Sequence, residues 1–266
     1  MTRIGMIGTG NMGGALLTGW SKNNHLTLSG FDMDKERLQV LSKETGLRIK
    51  ESITELVEES DYIVLAVKPQ QMHEVLEQVA LNIQKNQCLI SIAAGVKRET
   101  IGKWSGHTCP VVRVMPNTPA LVGAGVFALC YDDRKLSAEQ KDCIHDLFLQ
   151  LGEVHVLKES YFDAFTALEA TGPAYVFYFM ESMVEAGVAV GFTRKQSREM
   201  IVSLLEGSAK MARESQQSAA VLREMVTSPA GTSSAAMRVL YKNAVRSSFV
   251  EAVVAAEKRS QELGEE

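Results

Sequence analysis

Three glycines near the start of the chain have the spacing of a phosphate-binding turn. The stretch IGMIGTGNMG places Gly8, Gly10 and Gly13 in the pattern G-x-G-x-x-G, after an apolar run and before a helical pattern. Such glycines permit a tight turn and bring backbone N–H groups close to a pyrophosphate, whose charge the helix N-terminus favours. The pattern alone also occurs in plain glycine-rich turns. The order of strand, turn and helix favours a dinucleotide site.

A carboxylate follows the second apolar run. Asp32 lies 24 residues after Gly8. At that position it can accept hydrogen bonds from adenosine ribose hydroxyls, and it would repel a 2′-phosphate. The next residues are Met33, Asp34 and Lys35, so no arginine follows at once. This favours NADH over NADPH. The alternative is that Asp34 caps the next helix and Asp32 is only a solvated turn residue.

The segment AVKPQQM, residues 66–72, follows the fourth apolar run. The carboxyl end of a parallel strand faces the cofactor crevice. Lys68 could therefore touch a ribose or a phosphate, and Pro69 opens the next helix. A simple turn with an exposed lysine explains the same residues equally well.

A turn rich in hydroxyl groups interrupts the helical second half. In VTSPAGTSSAAM, residues 226–237, six of twelve residues are Ser, Thr or Gly, and none is charged. Free N–H groups at a helix N-terminus, with hydroxyls beside them, suit a small anion. The alternative is an ordinary Ser/Thr cap, which is common.

The elements that must position these residues follow from apolar periodicity. Strands are predicted at RIGMIG, LTLSGFD, LRIK, DYIVLAV, CLISIA, PVVRVM, GAGVFALCY and EVHVLK, the last two at sheet edges. Helical patterns separate them, and Ser52 and Ser137 begin capping boxes. Strands alternating with helices predict a Rossmann-like doubly wound parallel sheet.

The strand pattern ends at Lys158, and residues 160–263 are helical throughout. We predict an α/β domain over residues 1–158 and an all-α C-terminal domain over residues 159–266. Breaks fall at Gly172-Pro173, Gly191, residues 215–218, residues 228–231 and near Asn243. Many small apolar positions in this half favour a homo-oligomer, with helix packing inside a monomer as the alternative.

Composition excludes several classes of function. The net charge of −4, without a basic run, argues against nucleic acid as a partner. Glu181 and Glu185 interrupt the longest apolar region, which indicates a buried helix and not a membrane span. The chain enters its first strand at once, which leaves no room for a signal peptide. Four cysteines without C-x-x-C spacing indicate reduced thiols and a cytoplasmic protein, and five scattered histidines indicate no metal site.

The segment VMPNTPALVGAG, residues 114–125, holds Pro116 and Pro119 after a strand, which suggests a rigid wall beside the nicotinamide. GTGNMG, AVKP, SIAAGV, RVMPNTPALVGAG, GPAYVF, GSAKM and MVTSPAGT occur in this order. With these motifs the chain resembles the pyrroline-5-carboxylate reductases over nearly its whole length. Ala230 stands where many members have glycine, and Ser233 stands where many have threonine.

The resemblance implies reduction of 1-pyrroline-5-carboxylate to L-proline with NADH or NADPH. It also implies a helical domain that forms a homodimer or a larger assembly. Expected cofactor-binding residues, with Asp32, are Gly8, Gly10, Asn11, Met12, Gly13, Ala66, Val67, Lys68, Pro69, Ala93, Ala94, Met115, Pro116 and Asn117. Expected substrate-binding residues are Ser228, Ala230, Gly231, Thr232 and Ser233, with Thr232 and Ser233 as the catalytic pair.

The residues themselves favour an imine substrate. A protonated cyclic imine is already electrophilic and depends mainly on orientation, whereas a ketone needs a general acid. Related 3-hydroxyacid dehydrogenases use a lysine early in the second domain, and this chain has no lysine between Glu159 and Phe192. The alternatives are an imine or hydroxyacid reductase of broader range, or a dinucleotide-binding regulator without turnover.

Overall fold

The structure is a computed structural model that describes residues 1–264. In this part of the chain one sheet is formed by eight strands: β1 (Thr2–Ile7), β2 (Leu26–Phe31), β3 (Arg48–Ile49), β4 (Tyr62–Leu65), β5 (Cys88–Ser91), β6 (Val111–Met115), β7 (Gly125–Cys130) and β8 (Gly152–Val156). Their order is β3-β2-β1-β4-β5-β6-β7-β8. All neighbours are parallel except β6 and β7. The predicted Rossmann-like fold is confirmed.

The predicted edge position of β7 is wrong. β7 pairs with β6 on one side and with β8 on the other, so the edges of the sheet are β3 and β8. Residues 127–130 are all buried. A strand covered on both faces has a continuous apolar run, and that run does not reveal which strands lie beside it.

Helices cover both faces of the sheet. In the first part of the chain they are α1 (Asn11–Trp20), α2 (Lys35–Thr45), α3 (Ile53–Glu58), α4 (Met72–Ala80), α5 (Arg98–Trp104), α6 (Ala138–Leu149) and α7 (Phe162–Phe165). The predicted capping box at Ser137 is complete. At Ser52 only half of it forms, because the Glu55 carboxylate accepts the N–H of Glu51 and not that of Ser52.

Alternating residues of the central strands enter two separate cores. Ile4, Met6 and Val64 belong to the cluster that includes Trp20 and Phe148. Ile7, Ile63 and Leu65 belong to the cluster on the other face, with apolar residues of α3, α4 and α5. Because both faces are buried, the register of the central strands is fixed, and their carboxyl ends meet at one edge.

The remaining helices are α8 (Gly172–Ala189), α9 (Arg194–Ser215), α10 (Ala219–Met225), α11 (Thr232–Lys242) and α12 (Val245–Leu263). Their boundaries coincide with the predicted breaks. A π-helical turn, Thr166–Ala170, precedes α8. By their contacts the described residues form two compact units, one of residues 172–255 and one of residues 1–171 with 256–264. The predicted domain boundary after Lys158 stays a prediction.

The last turns of α12, from Ala256 on, belong to the same compact unit as the sheet. The Ser260 hydroxyl donates to Asp163 Oδ1 at 2.7 Å. A Cβ atom placed on Gly95 would lie 3.2 Å from the carbonyl carbon and oxygen of Leu263. The end of α12 therefore lies against the loop that follows β5.

Residues 1–264 contain neither a membrane-spanning helix nor a cluster of metal ligands. No helix among them is long and apolar enough to cross a membrane. No group of three or more His, Cys, Asp or Glu side chains in the same range is placed to hold a metal ion.

Candidate active site

The glycine turn between β1 and α1 is closed so tightly that side chains are excluded. Gly8 has φ +92°, and a Cβ atom on it would lie 2.7 Å from the carbonyl oxygen of Ala66. A Cβ atom on Gly13 would lie 2.3 Å from the carbonyl oxygen of Gly8. The first and third glycines therefore hold the turn against the end of β4 and let α1 start beside it.

The second glycine faces open space. Gly10 is the N-cap residue of α1 and offers no side chain to the first turn of that helix. A Cβ atom on Gly10 would have Arg37 Nη1, 3.8 Å away, as its nearest neighbour. The backbone N–H groups at Asn11, Met12 and Gly13 open the helix, where a phosphate is favoured by the helix dipole. This geometry fits a dinucleotide pyrophosphate.

Asp32 ties the end of β2 to the glycine turn. Its Oδ2 accepts the Thr9 N–H at 2.5 Å and the Thr9 hydroxyl at 2.9 Å, and its Oδ1 accepts the Asp34 N–H at 2.9 Å. Burial alone would raise the pKa of this carboxyl, but these hydrogen bonds and the Arg37 charge outweigh it and lower the pKa below its usual value. Asp32 is thus an ionised carboxylate that connects the end of β2 to the glycine turn, and not a solvated turn residue.

The alternative explanation, that Asp34 caps the next helix, is correct for Asp34. Asp34 is the N-cap residue of α2, and its side chain accepts the Arg37 N–H at 3.0 Å. Thr9 was not among the predicted site residues, but it is 1% exposed and fixes Asp32 through two hydrogen bonds. Its position inside GTG was the available signal.

The other predicted cofactor residues follow the next strands of the sheet. Ala66, Val67 and Lys68 come after β4, with Lys68 exposed, and Pro69 opens a short 3₁₀ turn before α4. Ala93 and Ala94 come after β5, where the Ala93 N–H donates to Ser91 Oγ at 3.3 Å. These loops lie at the same edge of the sheet as the glycine turn, because β1, β4 and β5 are parallel and in register.

Asn117 is held by the protein. It follows Met115, the last residue of β6, and Pro116, and it is only 5% exposed. Its Oδ1 accepts the Val126 N–H at 2.8 Å, and its Nδ2 donates to the Glu169 carbonyl at 3.4 Å. The side chain connects its own loop to β7 and to the π-helical turn. These hydrogen bonds hold the proline-containing segment after β6 in place.

A partly buried ion pair lies beside the same segment. Arg113, within β6, places Nη1 2.9 Å from Glu159 Oε1 and its guanidinium over the Phe162 ring, 4.7 Å from the centroid. Glu159 Oε1 also accepts the Arg98 N–H at 2.6 Å. The sequence does not predict this group, because an arginine inside a strand gives no sign of its distant partner.

The turn TSPAGTSS lies in the other unit. The Gly231 N–H donates to the Ser228 carbonyl at 3.1 Å, which closes a β-turn around Pro229 and Ala230. Ala230 has φ +60°, the left-handed region that this type of turn requires at its third residue and that glycine adopts at less cost. A Cβ atom on Gly231 would lie 2.4 Å from Ser228 Oγ. A side chain at position 231 would therefore displace the Ser228 hydroxyl, and alanine at position 230 is accommodated with backbone strain.

Helix α11 begins directly after this turn. Its N-cap residue is Gly231, so no side chain caps the N–H groups of its first turn from that position. Thr232 is exposed, and Ser233 is half-buried. The turn therefore combines free backbone donors with hydroxyl groups, as a small carboxylate would require. The structure does not form the ordinary Ser/Thr cap that was the alternative.

Known proteins resemble this chain over nearly its whole length. Residues 159–263 match a family model described as pyrroline-5-carboxylate reductase dimerisation, and residues 3–95 match one described as NADP oxidoreductase coenzyme F420-dependent. Pyrroline-5-carboxylate reductase of Corynebacterium melassecola is 36% identical over 99% of this chain and 99% of its own length. That of Escherichia coli is 33% identical over 98% of both. A crystal structure of Plasmodium falciparum pyrroline carboxylate reductase with NADP bound has a TM-score of 0.90 at 32% identity, covering 99% of this chain and 98% of that one.

Proposed function

This chain belongs to the pyrroline-5-carboxylate reductase family, and we propose that it reduces the C=N bond of 1-pyrroline-5-carboxylate to L-proline with hydride supplied by NADH or NADPH. The observation that carries the proposal is the 36% identity to a reductase of that name over 99% of both chains. The glycine turn and the hydroxyl-rich turn supply two anion sites of the kind that this reaction needs.

The cofactor site consists of the loops at the carboxyl edge of the sheet. Backbone N–H groups at the start of α1 bind the pyrophosphate, and Asp32 accepts a ribose hydroxyl with the lone pairs that Thr9 and Asp34 leave. The fit is supported by Gly8 and Gly13, whose lack of side chains keeps the turn closed behind the phosphate. Lys68, Ala93, Ala94 and the segment 115–117 line the nicotinamide half.

The turn of residues 228–233 binds the substrate carboxylate. Backbone N–H groups at the start of α11 and the hydroxyls of Ser228 and Thr232 hold the anion, and the Ser233 hydroxyl reaches the ring nitrogen. The C=N carbon gains the hydride, the π electron pair passes to nitrogen, and nitrogen keeps the proton that made it an iminium. No side chain has to protonate an alkoxide, which agrees with the absence of lysine between Glu159 and Phe192.

The enzyme acts as a homodimer or a larger assembly joined by helices after Lys158. The match of residues 159–263 to a dimerisation family supports this, and so do the large apolar side chains that α8 exposes, among them Phe177 and Tyr178. All four cysteines are free, which supports a cytoplasmic location.

Steady-state kinetics of the purified protein test the function. The substrates are pyrroline-5-carboxylate, other cyclic imines and 2-keto and 3-keto acids, each with NADH and with NADPH. The proposal predicts the highest kcat/KM with pyrroline-5-carboxylate. A keto acid as best substrate would identify a hydroxyacid reductase, and cofactor binding without any turnover would identify a regulator.

A further inference from the structure

Arg37 reaches the glycine turn from the neighbouring helix. Its backbone N–H is fixed by Asp34, the N-cap residue of α2, at 3.0 Å. Its guanidinium extends toward the other side of the crevice, where Nη1 lies 3.8 Å from the position that a Cβ atom of Gly10 would take. Half of the side chain, 52%, is exposed. The guanidinium thus lies between the end of β2 and the start of α1.

The neighbouring lysine points elsewhere. Lys35 Nζ lies over the Phe31 ring, 5.2 Å from its centroid, and 3.7 Å from Glu51 Oε2. The Lys35 side chain therefore lies away from the glycine turn, although Lys35 is closer to Asp32 in sequence. Arg37 is the cation that this part of the structure directs at the crevice.

The carboxylates beside Arg37 leave its guanidinium accessible. Asp32 directs both oxygens to Thr9 and Asp34, with hydrogen bonds of 2.5 to 2.9 Å. Asp34 lies 3.6 Å from Arg37 Nη2, a long contact for an exposed ion pair. Such a pair contributes little to stability and yields readily to a stronger anion.

In this fold the adenosine ribose lies at the end of β2, beside the pyrophosphate on the glycine turn. A phosphate on the ribose 2′-oxygen would enter the space between these two elements. A guanidinium fork matches the oxygens of a phosphate and binds them with charge-assisted hydrogen bonds. Arg37, between Gly10 and Asp34, has the position and the chemistry for that group.

We propose that Arg37 binds the 2′-phosphate of NADPH and so allows this enzyme to use NADPH despite the carboxylate of Asp32. The proposal rests on the proposed function, since it assigns a specificity residue within the same cofactor site. Two side chains five positions apart would then determine the choice of cofactor. The Asp32 carboxylate disfavours binding of NADPH, and the Arg37 guanidinium favours it.

Fluorescence titration of the full-length protein with NADPH and with NADH, without substrate, tests the proposal. Arg37→Ala should raise the Kd for NADPH about tenfold or more, the loss expected for charge-assisted hydrogen bonds, and that for NADH less than about threefold. Lys35→Ala, on the same turn of α2, is the matched control and should change both constants less than about threefold. The Kd of Arg37→Lys for NADPH should lie between those of the wild type and Arg37→Ala, because an ammonium keeps the charge but cannot bind two phosphate oxygens side by side as a guanidinium does.

Competition with adenosine 2′,5′-bisphosphate and with 5′-AMP isolates the phosphate. Arg37→Ala should weaken the binding of adenosine 2′,5′-bisphosphate and leave the binding of 5′-AMP unchanged. If Arg37→Ala weakened the binding of NADH and NADPH equally, or that of both adenosine ligands, Arg37 would contact a group that both cofactors share. This result would overturn the proposal. No effect on NADPH, or failure of the wild-type protein to bind it, would overturn it also. Because binding is measured without turnover, loss of reductase activity toward pyrroline-5-carboxylate would count only against the proposed function.

Discussion

The carboxylate of Asp32 connects local structure to cofactor choice. It holds the glycine turn through Thr9, and we propose that it also accepts a hydrogen bond from a ribose hydroxyl of the cofactor. We expect NADH to be used at least as well as NADPH. Asp32→Ser should move the ratio of kcat/KM toward NADPH, because the negative charge near the 2′-position is removed.

Asp32→Asn is a second variant that tests the same prediction. Asparagine keeps an acceptor for Thr9 but carries no charge, so it should change the cofactor ratio in the same direction with less loss of total activity. Unchanged ratios in both variants would show that Asp32 serves the turn alone and does not face the cofactor.

Substitutions in the turn of residues 228–233 should affect the substrate and not the cofactor. Ser233→Ala removes one hydroxyl and keeps the backbone donors, so kcat/KM for pyrroline-5-carboxylate should fall about two- to twelvefold. Gly231→Val should be more harmful, because the space of its Cβ atom is taken by Ser228 Oγ. NADH affinity should barely change in either variant. If Ser233→Ala weakened NADH binding but not the KM for the imine, our assignment of the turn would be wrong.

At the scale of elements, the loop after β5 depends on the end of α12. Gly95 has φ +76°, and a Cβ atom there would approach Leu263 and Gly264 to 3.2–3.3 Å. Gly95→Ala should therefore destabilise the protein by more than the cost of a left-handed alanine, which is about 1–2 kcal/mol. It should also raise the Kd for NADH, because Ala93 and Ala94 belong to the same loop.

Gly46→Ala provides the matched control. Gly46 has φ +72°, and nothing lies within 4 Å of its Cβ position. Urea denaturation of the two variants separates the conformational cost from the contact with α12. If both variants lost the same free energy of unfolding and bound NADH equally, the end of α12 would have no part in holding the loop.

The sequence predicted the elements well for physical reasons. Buried parallel strands such as β4 and β5 are short apolar runs between helical patterns, and this alternation predicts the doubly wound sheet. The breaks in the helical half were marked by Gly191 and by serine-rich turns. The position of β7 was not predictable from local pattern, because strand order depends on pairings between residues distant in the chain.

The same limit applied to the site. The glycine turn was visible, since its spacing is local. The sequence did not single out Arg37, because only the structure shows its guanidinium beside Gly10, the N-cap residue of α1. The partnership of Thr9 with Asp32 was missed for the same reason. Pattern identifies which residues can do chemistry, and packing decides which of them meet.

For the molecule as a whole, we expect self-association. In α8, Phe177 is 62% exposed and Tyr178 is 70% exposed, on a helix with few buried residues of its own. Burial of such side chains is a major source of stability in dimers. Light scattering should give a mass at least twice the 29.1 kDa of one chain. A stable, active monomer would contradict this.

A charged substitution on the exposed face gives a sharper test. Phe177→Asp should raise the dimer dissociation constant, because a carboxylate is costly to bury without a partner. Leu81→Asp is the control, since Leu81 is 79% exposed in the other unit and should leave the mass unchanged. Equal masses for both variants and the wild type would place the interface elsewhere.

The central claim is reduction of the C=N bond of pyrroline-5-carboxylate, and transfer of a labelled hydride tests it most directly. The protein is incubated with pyrroline-5-carboxylate and NADH deuterated at the transferred position of C4, and the product is examined by mass spectrometry and NMR. We predict proline with one deuterium on the ring carbon that was doubly bonded to nitrogen, formed in proportion to the NADH consumed. Absence of proline, or proline without the label at that carbon, would contradict the account.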